Sequence, residues 1–192
     1  MIGHRSGDFT KVMKRVHEGL QQIFQTESEI AILAGSGTAA MEAAVANLVS
    51  PGDSALVLVG GKFGERWQEL EEAFGGREDG LEYTYGEGAD PQQVAEKLAA
   101  HPEISLVFAT QNESSTAVLN DIEGLTKVAH EHGAMIVVDA VSGLGGAPLP
   151  MDEWGVDVVV SGSQKCLMLP PGLSFVAAQE AARVVAVGRP VQ

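Results

Sequence analysis

The sequence contains little of several residue classes, and the scarcest is cysteine. Cys166 is the only cysteine among 192 residues, which excludes an intrachain disulfide and suits a reducing compartment. The first residues, MIGHRSGDF, lack the basic and then apolar pattern of a secretory signal. No apolar run approaches the roughly 20 residues that are needed to cross a bilayer. We therefore expect a soluble, cytoplasmic protein without a membrane-spanning segment.

Basic residues are also scarce. The chain has 12 Lys and Arg residues against 26 Asp and Glu residues, which gives a formal net charge of −14. A surface with this charge repels the phosphate backbone of nucleic acids and the anionic headgroups of membranes. We therefore expect no nucleic acid and no membrane as a partner, although single basic residues can still bind small anions.

Hydrophobic residues make up 45% of the chain, and their spacing indicates alternating helices and strands. Apolar residues recur at steps of three and four up to Phe24, which predicts a helix with Asp8 as its N-cap. Residues 91–100 are predicted to form another helix, because Asp90 stands directly before a proline. Several strands are continuous apolar runs such as LVLV, IVV and VVV, which is typical of strands covered on both faces. The sequence predicts one three-layer αβα domain with a mainly parallel central sheet.

The other predicted elements follow the same alternation. Helices are predicted after the GSGT turn and over residues 67–74 and 121–132, while GGKFGER is predicted as a turn and 111–120 as a loop. The predicted strands are 30–33, 55–59, 81–85, 104–109, 135–138, 156–160 and 173–178.

Residues with chemical functions lie just after several of these strands. They are found at 35–38, 60–63 and 112–116, at Asp139, and at 161–165. The carboxyl ends of parallel strands meet at one edge of a sheet, and ligands bind there. We therefore expect these segments, which are far apart in the sequence, to form one site.

The GSGT turn at 35–38 opens a predicted helix and is a candidate anion site. Its free N–H groups and the positive end of the helix dipole favour an anion, and two hydroxyls add donors. A tight turn with a Ser or Thr cap explains these residues equally well. GSGTAA also fits the dinucleotide pattern G-x-G-x-x-G/A. That interpretation requires an acidic residue after the next strand, which ends instead in Gly60 and Gly61, so it is disfavoured.

Asp139 and Lys165 are the two charged candidates. Asp139 ends the run MIVVD, so its carboxylate is expected at the rim of a buried strand, where it needs a cation or several donors. A cap for the following turn is the alternative. Lys165 is followed by four apolar residues, Cys166 to Leu169, so apolar surroundings are expected. Such surroundings lower the pKa of a lysine and favour Schiff-base formation. A solvated surface lysine is the alternative here.

Together these features match the needs of pyridoxal 5′-phosphate. The phosphate needs a helix N-terminus, the pyridine nitrogen needs an acid that keeps it protonated, and the aldehyde needs a lysine amine. The aromatic ring of Phe63 and the hydroxyls of residues 114–116 complete the set. No metal site is predicted.

Several segments also carry a family resemblance. They are MIGHRS, AGSGTAAMEAAVANLVSPGDS, GGKFGER, NESSTAVL, VDAVSGLGG and SGSQKCLMLPPGLSF. With these segments the chain resembles the class V, fold type I aminotransferases that use pyridoxal phosphate, especially the alanine–glyoxylate and serine–pyruvate group. The segments run in the family's order and extend from the first residues to about Gln179.

The resemblance implies a role for each matching residue. Lys165 is expected to form the Schiff base and to move the proton between the substrate α-carbon and the cofactor. Asp139 would pair with the pyridine nitrogen, Phe63 and Val141 would cover the two ring faces, and Ser114 would bond near the ring hydroxyl. The residues that are expected to hold the phosphate are Ser36, Gly37, Thr38 and Gln164.

The resemblance also implies which part of a family member this chain represents. Relatives begin earlier and continue into a small C-terminal domain, which supplies an arginine for the substrate carboxylate. We therefore expect residues 1–192 to be the cofactor-binding large domain, without the N-terminal segment and the small domain. Relatives complete the cofactor site with a second subunit, so a homodimer is implied.

Four functions are considered. The first is transamination between a small amino acid, alanine or serine, and a 2-oxo acid, glyoxylate or pyruvate. The second is a cofactor-binding chain with impaired catalysis, or an assembly partner, because the substrate arginine is missing. A cysteine desulfurase is disfavoured because Cys166 adjoins Lys165, whereas that chemistry needs a cysteine on a mobile loop. An NAD-binding oxidoreductase would leave Lys165 unexplained.

Overall fold

Helices and strands alternate along residues 2–188, which the computed structural model describes; residues 1 and 189–192 of the expected domain lie outside the described residues. The helices are α1 (Gly7–Phe24), α2 (Gly37–Leu48), α3 (Lys62–Ala73), α4 (Pro91–Ala100), α5 (Ile122–Glu131), α6 (Met151–Trp154) and α7 (Glu180–Gly188). The strands are β1 (Ile30–Ala34), β2 (Ser54–Val59), β3 (Arg77–Glu82), β4 (Leu106–Thr110), β5 (Asn112–Glu113), β6 (Val118–Leu119), β7 (Met135–Asp139), β8 (Val158–Gly162) and β9 (Leu173–Ala178). None of the helices described is long and apolar enough to cross a membrane.

Seven strands form the central sheet in the order β1-β9-β8-β7-β4-β2-β3. Neighbours pair in parallel from β8 to β3, while β9 runs antiparallel to both β8 and β1. The prediction of a mainly parallel sheet is confirmed. The segment predicted as a loop contains a small hairpin, in which β5 pairs with β6.

The two faces of the sheet pack against different helices. On strand β2, Leu56 and Leu58 belong to a core that includes side chains of α1, α4, α5 and α6. Val57 and Val59 point to the opposite face and belong to a core with α2, α3 and α7. Burying each leucine or valine contributes about 1.5–3 kcal/mol, so covering both faces explains the continuous apolar runs. The three-layer αβα prediction is confirmed.

Helix starts that depend on local signals are close to their predicted positions. Helix α4 has the predicted bounds, and the Asp90 side chain caps it. The cap of α1 is Ser6, whose hydroxyl accepts the N–H of Phe9 at 3.2 Å. The prediction of Asp8 as cap is wrong, because that residue lies in the first turn and its carboxylate pairs with Lys11 at 3.1 Å.

Helix α3 differs most from its prediction. It begins at Lys62 rather than at residue 67, so most of the predicted GGKFGER turn is helical. Its N-cap residue, Gly61, makes no side-chain cap bond. The side chain of Glu113, 50 residues beyond Phe63 in the chain, caps this helix instead. No residue near the start of α3 in the sequence predicts that contact.

Two helices were not predicted. Helix α6 has four residues and no side-chain cap, so it is too short to show a helical period. Helix α7 packs on the sheet through Ala182, which is 1% exposed.

Candidate functional site

The predicted site segments lie at one edge of the sheet. Strands β2, β4, β7 and β8 run in parallel, and β1 shares their direction because both β1 and β8 are antiparallel to β9. Their carboxyl ends therefore meet at the same edge. The residues that follow them are 35–38, 60–63, 111–116, 140–141 and 163–165.

Asp139 is a buried carboxylate at this edge, with 2% of its surface exposed. Burial raises its pKa to about 6; the N–H of Val141 lowers it, the charge of Glu113 raises it, and the charges of Arg66 and Lys165 lower it. Its Oδ1 accepts the Val141 N–H at 2.8 Å, as the turn-cap alternative requires. Among the described residues no donor bonds to Oδ2, so this oxygen can accept a further N–H group.

Lys165 lies in a turn after β8 and its side chain is exposed. The turn is closed by the N–H of Met168, which donates to the Lys165 carbonyl at 2.9 Å. The expectation of apolar surroundings is wrong, because Met168 and Leu169 are themselves 89% and 53% exposed and do not cover the amine. The charge of Lys165 nevertheless lowers the pKa of Asp139, so the two groups share the site.

The first turn of α2 has the form of an anion site. Ser36 is the N-cap residue, but its side chain makes no cap bond, and no acidic residue lies in the first turn. The N–H groups of Gly37 and Thr38 have no acceptor within the helix. A Cβ on Gly37 would lie 2.5 Å from a methyl carbon of Val141. Glycine at position 37 therefore lets Val141 pack directly against this turn.

Gln164 contacts the same region. A Cβ on Gly162 would lie 3.0 Å from Gln164 Oε1 and 3.6 Å from the N atom of Gly37. Gln164 Oε1 is buried and has no hydrogen-bond partner among the described residues. Rotation of the amide by about 180° would exchange Oε1 for the Nε2 donor. In the rotated form the Gln164 amide can offer an N–H group next to the α2 turn.

Phe63 lies in the first turn of α3, next to a guanidinium group. The Cζ atom of Arg66 is 5.0 Å from the centre of the Phe63 ring, a distance at which a cation and an aromatic ring attract each other. Nη1 of Arg66 also donates to Thr38 Oγ1 at 3.2 Å. Arg66 therefore links the predicted ring-stacking residue to the predicted phosphate turn. Sequence reasoning missed it, although it stands in the GGKFGER segment.

Glu113 is a second buried carboxylate that sequence reasoning missed, and it is 2% exposed. Its Oε2 accepts the N–H groups of Phe63 at 2.9 Å and Gly64 at 3.2 Å, which caps α3. Its Oε1 accepts the hydroxyl of Ser115 at 2.6 Å and the N–H of the same residue at 3.2 Å. A Cβ on Gly61 would lie 2.4 Å from this carboxyl group. Glu113 thus joins the turn of Phe63 to the hairpin of Ser114.

Ser114 is exposed on the turn between β5 and β6. Among the described residues it makes no hydrogen bond to another predicted site residue. Its neighbour Thr116 lies closer to the sheet, with Oγ1 3.5 Å from the Gly60 carbonyl. The structure therefore brings Ser114 to the correct edge and leaves its hydroxyl open to solvent.

These residues fit pyridoxal 5′-phosphate. The uncapped start of α2 provides N–H donors for a phosphate, and the Gln164 amide can add one if it is rotated so that Nε2 replaces the buried Oε1. The buried carboxylate of Asp139, with its open Oδ2, suits a protonated ring nitrogen. The amine of Lys165 is near enough for its charge to act on that carboxylate.

One cluster of metal-ligand types lies outside these residues. Ligand atoms of Asp79, His101 and Glu103 are all within 4.8 Å of one another. Lys97 places its ammonium group 3.4 Å from Asp79, and this charge competes with any metal ion. We assign the cluster no metal.

The chain is similar to known proteins along nearly its whole length. A family model described as aminotransferase class-V matches residues 1–191. The chain is 44% identical over 178 residues to a soluble hydrogenase small subunit of Synechococcus sp. (strain PCC 6716), covering 91% of this chain and 46% of that protein. It is 40% identical over 184 residues to alanine–glyoxylate aminotransferase of Rattus norvegicus, and the match covers 95% of this chain and 44% of that protein.

A solved structure shows the same fold. The alanine–glyoxylate aminotransferase of Nostoc sp. has a TM-score of 0.93 and 33% sequence identity, and the match covers 98% of this chain and 50% of that one. The chain thus spans about half the length of the relatives it matches.

Proposed function

Because the chain belongs to the aminotransferase class-V family, we propose that it transfers an amino group between a small amino acid and a 2-oxo acid. The family depends on pyridoxal 5′-phosphate. Alanine or serine is the proposed donor and glyoxylate or pyruvate the proposed acceptor, since similar proteins are named alanine–glyoxylate aminotransferases.

One observation carries this proposal: the buried carboxylate of Asp139 and the amine of Lys165 share the sheet edge where α2 begins without a cap. Two of these groups, the buried carboxylate and the N–H groups at the start of α2, are energetically unfavourable without a ligand. A buried carboxylate needs a cation or donors, and free N–H groups need acceptors. A molecule with a basic ring nitrogen, a phosphate and an aldehyde satisfies all three.

Each residue has a proposed task in the reaction. When bound, the cofactor supplies an aldehyde carbon for the amino group and a ring that withdraws electrons from the substrate α-carbon. Nζ of Lys165 would hold the cofactor at its aldehyde carbon, with the aldehyde oxygen lost as water. When the substrate amine takes this place, the freed lysine amine would move a proton from and to the substrate α-carbon. Asp139 would accept the ring N–H and stabilise its positive charge. Phe63 and Val141 would cover the ring faces, and Ser114 would bond near the ring hydroxyl.

The phosphate would be held at the start of α2. The proposed donors are the first-turn N–H groups and hydroxyls together with the Gln164 amide, and the residues are Ser36, Gly37, Thr38 and Gln164. We further propose that residues 1–192 act as the cofactor-binding large domain and that two copies of the chain associate as a homodimer.

The test is the absorption spectrum of the purified chain with added pyridoxal 5′-phosphate. Wild-type protein should become yellow, and borohydride should remove the colour and leave a covalent adduct on the peptide that contains Lys165. The Lys165→Ala variant should show neither colour nor adduct. Lys127→Ala, which removes an exposed lysine of α5, is the matched control and should behave as wild type.

Addition of alanine or serine without a 2-oxo acid tests the reaction itself. Loss of the yellow band, followed by its return with glyoxylate or pyruvate, is the result expected of an aminotransferase. A stable yellow band with every amino acid would instead support the cofactor-binding chain with impaired catalysis. Colourless wild-type protein would contradict the cofactor proposal altogether.

A further inference from the structure

Arg66 is not one of the predicted site residues, but it contacts two of them, Thr38 and Phe63. Its side chain is half-buried, one turn into α3. It donates to Thr38 Oγ1 at 3.2 Å and its Cζ atom lies over the Phe63 ring. The guanidinium group is therefore held at the first turn of α2 by contacts from two helices.

The charge at this place is unfavourable unless an anion accompanies it. The N-terminus of a helix carries a partial positive charge, and a cation beside it is repelled. Acidic residues are missing from the first turn of α2. In the part of the chain that the structure describes, Arg66 also takes part in no ion pair. No carboxylate of the described residues therefore pairs directly with the guanidinium group at this turn, although Asp139 is near enough for the two charges to interact.

We propose that Arg66 binds the phosphate group of the cofactor, together with the first turn of α2; this inference rests on the proposed function. A guanidinium group presents a planar set of N–H donors that matches a phosphate. Bound there, the dianion would neutralise both the helix N-terminus and the arginine. Thr38 would then serve as the link that aligns the guanidinium group with the turn.

A purely structural role for Arg66 predicts a different pattern of effects. If the arginine only ties α3 to α2, its loss should weaken every ligand that binds Lys165. If it contacts the phosphate, its loss should weaken only ligands that carry one. Pyridoxal, which has the aldehyde and the ring but no phosphate, separates the two roles.

The experiment measures the dissociation constants of pyridoxal 5′-phosphate, pyridoxal and inorganic phosphate for wild type and variants. For Arg66→Gln we expect roughly a 10- to 100-fold weaker binding of the phosphorylated cofactor, the loss typical of a charged hydrogen bond. Pyridoxal binding should stay within about 3-fold of wild type, a change too small for a lost charged bond. Arg66→Lys keeps the charge, and its affinity for the phosphorylated cofactor should lie between those of wild type and Arg66→Gln. Lys62→Gln removes an exposed cation from the same helix and controls for net charge.

The outcomes separate this inference from the proposed function. An equal loss of pyridoxal and its phosphate in Arg66→Gln, or no loss of either, would overturn the role of Arg66 while leaving the function intact. If wild type bound no cofactor, the proposed function would fail. Inorganic phosphate that binds wild type and Lys62→Gln, but not Arg66→Gln, would still support the anion site. Circular dichroism and urea unfolding of each variant identify any that fail to fold.

Discussion

Buried charge is concentrated at two residues of the site, Asp139 and Glu113. Glu113 accepts four hydrogen bonds, two on each oxygen, and so its burial is compensated within the chain. Asp139 accepts one, from Val141, and burial raises its pKa to about 6. The difference indicates a structural role for Glu113 and supports the proposal that Asp139 binds the cofactor.

The raised pKa of Asp139 predicts how stability depends on pH. The folded protein holds this proton more tightly than the unfolded chain, so the contribution of the protonated group is lost as the pH rises through about 6. From about pH 5 to about pH 7.5, cofactor-free wild type should lose about 1 kcal/mol of unfolding free energy relative to Asp139→Asn. Urea unfolding of both proteins at several pH values measures this difference in unfolding free energy. The whole pH range lies above the isoelectric point of about 4.6. A difference that stays constant with pH would contradict the burial of an ionisable group.

At the scale of elements, the start of α3 depends on a distant side chain. Gly61 makes no side-chain cap bond, and Glu113 supplies the missing acceptor from the hairpin of β5 and β6. A carboxylate also interacts favourably with the positive end of the helix. The position of Phe63 is therefore set by a residue that lies 50 positions away in the chain.

Glu113→Gln tests this capping contact. An amide has one acceptor oxygen, so it can serve the α3 N–H groups or Ser115 but not both. We expect a loss of about 1–3 kcal/mol in unfolding free energy and faster amide exchange in the first turn of α3. Glu69→Gln, an exposed change on the same helix, should alter neither. Unchanged exchange at Phe63 and Gly64 in Glu113→Gln would show that Glu113 does not hold the turn.

At the scale of the whole molecule, one apolar surface stands out on a chain with a net charge of −14. Val16 and Ile23 of α1 line a groove with Leu169 and Leu173 from the segment after Lys165. These four side chains are 39–53% exposed. We call this surface the α1 groove. Cys166, the neighbour of Lys165, also lines the groove, and an exposed apolar surface of this kind supports the proposed homodimer.

A charge in the α1 groove should therefore separate the proposed dimer. Val16→Asp would bury an unpaired carboxylate in the interface, which costs far more than the lost apolar contact. Sedimentation velocity should show a dimer for wild type and a monomer for Val16→Asp. Val187→Asp changes an 87% exposed valine on α7 and should remain dimeric. Wild-type protein that sediments as a monomer would make the homodimer proposal wrong.

Much of this protein was determined by its sequence alone, because the signals are local. The period of apolar residues predicts the layers, and Asp90 with its proline predicts α4, since neighbouring residues decide both. The alternation of helices and strands predicts a mainly parallel sheet, and with it that Asp139, Lys165 and the GSGT turn share one edge.

Only the tertiary structure decided what depends on distant contacts. Glu113 caps α3 through a residue that lies 49 positions away in the chain. The hydrogen bond from Arg66 to Thr38 joins residues 28 positions apart. No local pattern encodes such pairs, because they exist only after the sheet has brought its strand ends together. The exposure of Lys165 has the same origin: apolar neighbours in sequence do not cover the amine when their own side chains point to the surface.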